Sequence, residues 1–449
     1  RCWVRIFWVM ALRKGWTRAA RRQDKDRSQR AEEKRMSRWR FIVRQLTSGL
    51  WFRSLIFSAI GVIAALMAAW LSPLIPSELG GRIGADAVDN ILGILASSML
   101  AVTTFSLNIM VGAYSSATTN ATPRATRLLM ADPTSQNVLS TFVGVFLYSI
   151  VGIIALSTGT YGEQGRVILF GATIAVIVVT VFTLLRWIDY LSRIGRVGDT
   201  AQRVEKVALD VVEAYAKDPF RGCRNRLDFP ADGNRRKLRC RTIGYIQHVD
   251  FAGLQALAKR HQCRIALLSD VGTLCDPSRP VLEIAGDGDL PEDAAILQAL
   301  TIGDQRSFEQ DPRFAVAVLA EIGARALSAA INDIGTAIDI IGRSLRVMAA
   351  AAQPSEASEI RHDRVYVARI QADDLFDDMF TSFGRDGAAE IEVSVRLMKA
   401  LASLHDLGGP DFRAASRRHA LELLERCEKT LQMDSEKRAL RQVYDSRFT

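Results

Sequence analysis

Hydrophobic residues are gathered into four long runs early in the chain and then break up into short periodic stretches. The runs cover residues 51–71, 88–112, 138–157 and 167–188, each about twenty residues with almost no charge. A helix of that length crosses a hydrocarbon core roughly 30 Å thick. A surface helix of a soluble protein would interrupt such a run with polar residues at helical spacing, and these runs are not interrupted. Four transmembrane helices are therefore predicted over residues 51–190.

After residue 199 the period changes. A helix over 200–216 leads into a Gly/Pro/Arg-rich stretch that ends near Lys237. Residues 242–247 and 264–268 read as strands flanking a helix over 250–261, and 271–276 with 280–284 read as two strands around a turn. This layout is similar to small barrel-sandwich or biotinyl-lipoyl-like folds. The tip Pro277-Ser278-Arg279 carries no lysine for covalent attachment, so no cofactor is expected. From 292 to 348 the pattern is helical. Leu327, Ile331, Ile334, Ile338, Ile341, Leu345 and Met348 form an apolar seam four and three apart, on one helix or on two with Asp333 capping the second. Amphipathic helices near 389–404 and 412–431 close the chain.

The expected fold is thus membrane α-helical with four transmembrane helices, plus a cytoplasmic α+β domain with a barrel-sandwich-like β module and a helical C-terminal part. The expected divisions are a basic tail (1–50), the membrane domain (51–190), a linker helix with the β module (191–290) and a helical domain (291–449).

Charge changes the picture in two ways. Twelve basic and four acidic residues precede Met36, a surplus of eight out of the chain's nine, so little basic surface remains elsewhere and no nucleic-acid partner is expected. Met36-Ser-Arg-Trp-Arg reads as a natural start, with residues 1–35 outside the native product. The competing reading of that stretch is a basic amphipathic anchor on anionic lipid, built on Arg5, Arg13, Lys14, Arg18 and Arg21 with Trp3, Trp8 and Trp16. Arg38, Arg40, Arg44 and Arg53 before the first run, Arg124 and Arg127 after the second, and Arg186, Arg193 and Arg196 after the fourth place those sides inward. A bacterial inner-membrane protein with both termini cytoplasmic is expected. The six cysteines show no C-x-x-C spacing, which suits a reducing compartment without disulfides or zinc.

Small residues recur four apart within the runs: Gly61 with Ala65, Gly93 with Ser97, Ser140 with Gly144, Gly171 with Ala175. Such spacing lets helix backbones approach in lipid, within one bundle or between subunits, and a homo-oligomer is expected. The second run also carries Ser97, Thr104, Asn108 and Ser115 on one helical face, which either lines a wet path or bonds to neighbouring helices.

Later in the chain, Arg306, Asp311, Arg325, Asn332, Asp333 and Thr336 suggest a polar pocket. Asp373, Asp374, Asp377 and Asp378, in pairs four apart, invite a test as a cation site, but they lack a glycine-containing ligand loop, and no metal is expected. The five histidines show no metal spacing, and no nucleophile–base set, Walker or dinucleotide motif is readable, so no enzymatic activity is expected.

Several stretches together resemble a known family. They are Thr104-Phe-Ser-Leu107, the run from Tyr114 to Arg124, Leu139 to Tyr148, Gly244-Tyr-Ile-Gln247, Arg306 to Asp311, and Ala324-Arg-Ala-Leu-Ser328 followed by Asn332-Asp333 and Thr336-Ala337. In order and spacing they resemble the bacterial predicted-membrane-protein family known as domain of unknown function 2254. The chain departs from it at Ala329 and Ile334, where the family tends to carry proline. The resemblance implies a polytopic inner-membrane protein and supplies no mechanism. On the residues alone, the expectation is a pore or transport-related protein regulated by its cytoplasmic domain. The alternative is a non-conducting sensor or scaffold that recruits an unknown ligand or protein partner.

Overall fold

The computed structural model describes residues 50–70, 85–130, 132–158, 163–230, 233–352 and 359–448. The basic tail with its Met36 boundary, Cys2 and most of the first loop lie outside the described residues.

Uninterrupted apolar sequence gives long helices first: α1 (Leu50–Trp70), α2 (Ala85–Asn120), α3 (Pro123–Met130), α4 (Pro133–Ser157) and α5 (Glu163–Leu191). Three are long and apolar enough to cross a membrane: α2 over Ala87–Asn120, α4 over its whole length, and α5 over Gln164–Leu191. The apolar stretch of α1, Phe52–Met67, is shorter. α2 outruns the expected end of its span at Gly112. Its 36 residues extend about 54 Å at 1.5 Å per residue. The stretch between the second and third runs is mostly helical: α2 continues to Asn120, α3 follows, and α4 begins at Pro133. Pro123 and Pro133 open α3 and α4, where a missing N–H costs nothing. Asp132 caps α4 by accepting from the Thr134 N–H at 3.1 Å.

Small residues set how closely these helices approach. A Cβ on Gly61 would fall 2.5 Å from the Gly144 carbonyl oxygen, and one on Gly144 would fall 2.9 Å from that of Phe57. Backbone contact between α1 and α4 follows the small-residue spacing. Around Gly93 and Gly171 nothing among the described residues lies within 4 Å of an added Cβ, so the same spacing there serves no contact among them. Tyr148 and Thr173 share a hydroxyl hydrogen bond of 3.0 Å between α4 and α5. The Trp187 indole donates to Ser106 Oγ at 2.8 Å, tying α5 to α2.

The rest of the chain is mixed. In order it forms α6 (Val197–Lys217), β1 (Cys223–Asn225), β2 (Asn234–Arg239), β3 (Gly244–Val249), α7 (Phe251–Arg260), β4 (Arg264–Leu267), β5 (Leu274–Cys275), β6 (Pro280–Gly286), α8 (Asp293–Leu297) and β7 (Leu300–Gly303). There follow α9 (Pro312–Ala326), α10 (Ile334–Ala351), β8 (His362–Val367), α11 (Ala372–Asp386), α12 (Ile391–Leu407), α13 (Pro410–Thr430) and α14 (Asp434–Phe448).

The strands form a five-stranded sheet, β1-β8-β4-β6-β2, and a three-stranded sheet, β5-β3-β7. β8 pairs parallel with both β1 and β4, whereas β4–β6 and β2–β6 are antiparallel. These parallel pairs depart from the expected barrel-sandwich layout. The expected hairpin over 271–284 is also absent, because β5 joins the small sheet while β6 joins the large one. The β unit does not end near residue 290 either, since β7 and β8 arrive from beyond it. The interval 292–348 is not continuously helical. β7 interrupts it, and α9 and α10 are separate helices. Asn332 takes the left-handed region (φ +46) and Asp333 accepts from the Thr336 N–H at 2.9 Å, so the break forms without the family's proline.

Two cores result. One gathers α6 and α9 to α14 around Phe376, Phe380 and Phe383, and takes in Ala121 and Ala125 from the α2–α3 elbow. The other lies within the β unit and holds Cys223, Cys240, Cys263 and Cys275. All five described cysteines are buried free thiols.

Candidate functional site

Ser97, Thr104, Asn108 and Ser115 share one face of α2, and that face is exposed along its length. The Ser97 hydroxyl donates to the Gly93 and Ile94 carbonyls (3.0 and 3.1 Å), and that of Thr104 to Leu100 (3.0 Å). Neighbouring polar residues behave differently: Ser106 is buried and receives Trp187, as described above. The polar character of α2 is therefore divided, part spent inside the bundle and part turned outward. Ala101 and Gly112 lie along the outward strip at helical spacing and are also exposed.

The six residues of the expected polar pocket do not converge. Arg306 and Asp311 form a two-pronged pair at the start of α9, with Nε–Oδ2 and Nη2–Oδ1 both at 2.8 Å, and Asp311 also accepts from the Phe314 N–H. Arg325, Asn332, Asp333 and Thr336 sit at its other end, about 22 Å away along 15 helical residues. Gly272 backs the Arg306–Asp311 pair at φ +86, with its Cα against the Asp311 carboxylate. Arg325 donates to the Thr119 carbonyl at the end of α2.

The four aspartates of α11 are met by cations from neighbouring helices. Asp374 and Asp378 pair with Arg313, and Asp373 and Asp377 with Arg418, Asp377 also bonding His419. Each of the four carboxylates is thus engaged by a guanidinium group.

A cleft of about 360 Å³, which no motif announces, opens between α6, α7 and the start of α9. Arg221 shapes its floor from an uncommon left-handed conformation (φ +54). Its guanidinium lies 5.9 and 5.7 Å from the ring centroids of Tyr215 and Phe251 and pairs with Asp270 at 2.6 Å. At the rim, Arg361 pairs with Asp218 over Gly222 (φ +72), where a Cβ would fall 2.7 Å from Arg361 Nε. Burial pulls the His248 and His362 imidazoles below their usual range, and Arg361 adds to the effect on His362, so both are neutral near pH 7. The lining offers rings, donors and acceptors, the equipment of a recognition pocket. Only Gly222, within a Gly/Pro/Arg-rich stretch, hints at it in the sequence.

Polar links join the apolar helices to the later half. Asp132 receives the Tyr190 hydroxyl and Arg203 (2.8 Å), and Arg203 also holds Asp199 (2.8 Å) and lies over the Tyr190 ring. Burial pushes the Asp132 carboxyl up, but hydrogen bonds from Tyr190, Arg203 and Thr134 outweigh it and hold it below the usual carboxylate range. Glu321 of α9 receives Thr122 Oγ1 at 2.8 Å and pairs with Arg124. Glu205 of α6 pairs with Arg343 (2.6 Å) and Arg346 (2.5 Å) of α10.

A family model described as "Predicted membrane protein (DUF2254)" matches residues 47–403. Two mycobacterial proteins, both titled uncharacterized, come from Mycobacterium tuberculosis and Mycobacterium bovis. Each is 30% identical to the chain over 129 residues, which is 27% of this chain and 24% of the relative. The chain thus spans about a quarter of the length of these curated relatives. No solved structure matches.

Proposed function

The chain belongs to the DUF2254 family of predicted membrane proteins, and on that footing we propose that it crosses a bacterial inner membrane four times and assembles into a regulated solute path. The fourth crossing in this reading is α1, whose 21 residues extend about 31 Å, the thickness of a hydrocarbon core. Both termini then face the cytoplasm.

One observation carries the path: the strip of Ser97, Thr104, Asn108 and Ser115 faces away from the chain's other described helices. In lipid, an amide such as Asn108 is costly unless water or another helix meets it. Copies arranged with these strips facing one another meet that need and leave a polar lumen. The cytoplasmic half, joined to the end of α2 through Arg325 and to the α2–α3 elbow through Glu321, is the controlling part.

The test is Asn108→Leu in liposomes holding the purified full chain. Ion or solute flux is expected to fall about tenfold, the effect of about 1.4 kcal/mol on a barrier, with the oligomeric state unchanged. Wild-type protein that conducts nothing, combined with a variant that loses assembly, would favour the second reading. That reading is a non-conducting sensor or scaffold, supported by the same polar links and by the recognition cleft beside α6.

A further inference from the structure

Where α5 leaves the apolar half, a second cleft of about 450 Å³ opens beside Thr134, Arg186, Tyr190 and Arg193. Its lining carboxylate Asp199, and Asp132 beside the cleft, are taken up by Arg203. Its mouth holds Arg186 and Arg193 against Asp189 alone, a surplus of one positive charge. Arg193 is engaged by Asp189 at 2.9 Å, while Arg186 has no ion pair among the described residues. Directly below, Val178, Phe182 and Leu185 follow one another at helical spacing and are 63%, 63% and 62% exposed, a continuous apolar ridge that ends at the cleft.

A cationic mouth at the head of a bare apolar ridge matches an amphiphile in which a negative group and a hydrocarbon chain are joined. We propose that this cleft binds a phospholipid with a net negative headgroup. Its phosphate meets Arg186 and Arg193, the Thr134 hydroxyl lies within the same lining, and one acyl chain runs along Val178, Phe182 and Leu185. Basic pockets between membrane helices at the cytoplasmic boundary bind anionic headgroups by this chemistry. The site adjoins the Asp132–Tyr190–Arg203 cluster, so the lipid rests on the joint between the spans and α6. This inference rests on the membrane-crossing part of the proposed function, not on the path along α2.

Native mass spectrometry of the full chain in mild detergent tests it, titrating phosphatidylglycerol against phosphatidylcholine. Wild-type protein is expected to retain phosphatidylglycerol in preference. Arg186→Gln should weaken that retention about fivefold, the effect of one basic side chain near an anionic surface, with phosphatidylcholine binding unchanged. Arg186→Lys should retain most of it, and Arg260→Gln, an exposed arginine on α7, all of it. Phe182→Ala should lower retention of both lipids. Equal retention of phosphatidylglycerol by wild type and Arg186→Gln overturns the proposal. So does displacement of the lipid by millimolar inorganic phosphate, which would mark a site for the free anion. A chain that stays in solution without detergent removes this inference together with the spans. An Asn108 variant without effect on flux strikes only the path.

Discussion

Gly272 illustrates how single residues hold the later half together. It combines a left-handed φ of +86 with a backbone pressed against the Arg306–Asp311 pair, so an alanine there meets both strain and collision. Gly272→Ala is expected to destabilise the protein by about 2 kcal/mol, within the range for an enforced unfavourable backbone conformation. Gly288→Ala, where nothing lies within 4 Å, should change little. Thermal denaturation of both variants in the same detergent distinguishes them. Residues of this sort were half legible beforehand. Arg306 and Asp311 stand out in the sequence and do pair, and Asp333 does cap a helix. The separation of Arg306 from Arg325 is invisible without knowing that α9 runs unbroken between them. Arg221 and Gly222 carry no spacing signal, because their role comes from positive φ values and from partners such as Asp270 and Arg361, far along the chain.

Among elements, long apolar helices declare themselves and short strands do not. Helices α4 and α5 need only length and hydropathy. β8 buries Val365, Tyr366 and Val367 in a row after three less buried residues, so it carries no period-two signal to separate it from a loop. β5 is two residues long, and its sheet is decided by Gly244 and Tyr245, which it pairs with, and not by the turn that follows it. The contact between α6 and α10 is set by Glu205, buried beside Arg343 and Arg346. Burial pushes its carboxyl up, but hydrogen bonds from the two arginines prevail and hold it below its ordinary value of 4.5. A depressed carboxyl contributes stability that is fully present above the unfolded value and is lost as pH falls through the folded one. Glu205→Gln is therefore expected to lower stability by about 2 kcal/mol at pH 7, the scale of hydrogen bonds to a charged group. The gap between variant and wild type should close as the pH is taken below about 4. Melting curves across that interval measure it, and a gap independent of pH would show that the charge on Glu205 contributes nothing.

For the whole molecule, the notable fact is that the apolar half and the later half share a core. Ala121 and Ala125 are packed with the helical cluster, Arg325 of α9 grips Thr119 at the end of α2, and Glu321 holds Thr122 and Arg124 just beyond it. The division of the chain at residue 190, natural from hydropathy, thus cuts through α2's own attachments. A break would be expected to appear as one, yet α2 passes from the outward strip to that grip as a single 36-residue helix. Helical phase can be altered without substituting any side chain, though a turn of the rod also moves Ser106 away from Trp187. One alanine inserted after Ser115 turns everything before it by about 100° relative to the grip, whereas four inserted residues turn it by only about 40°. Under the proposed arrangement of copies, the single insertion is expected to abolish flux or assembly, and the fourfold insertion to restore much of it. Equal behaviour of the two would mean that the ends of α2 act independently.

A stiff rod has a mechanical property that a hinged one lacks: it delivers torque along its length. With Thr119 held by Arg325 and Ser106 held by Trp187 on the same rod, a twist at Thr119 reaches the Asn108 amide, eleven residues away, only by carrying α5 with it. Gearing of this kind needs no travel along the membrane normal, and its output is orientation.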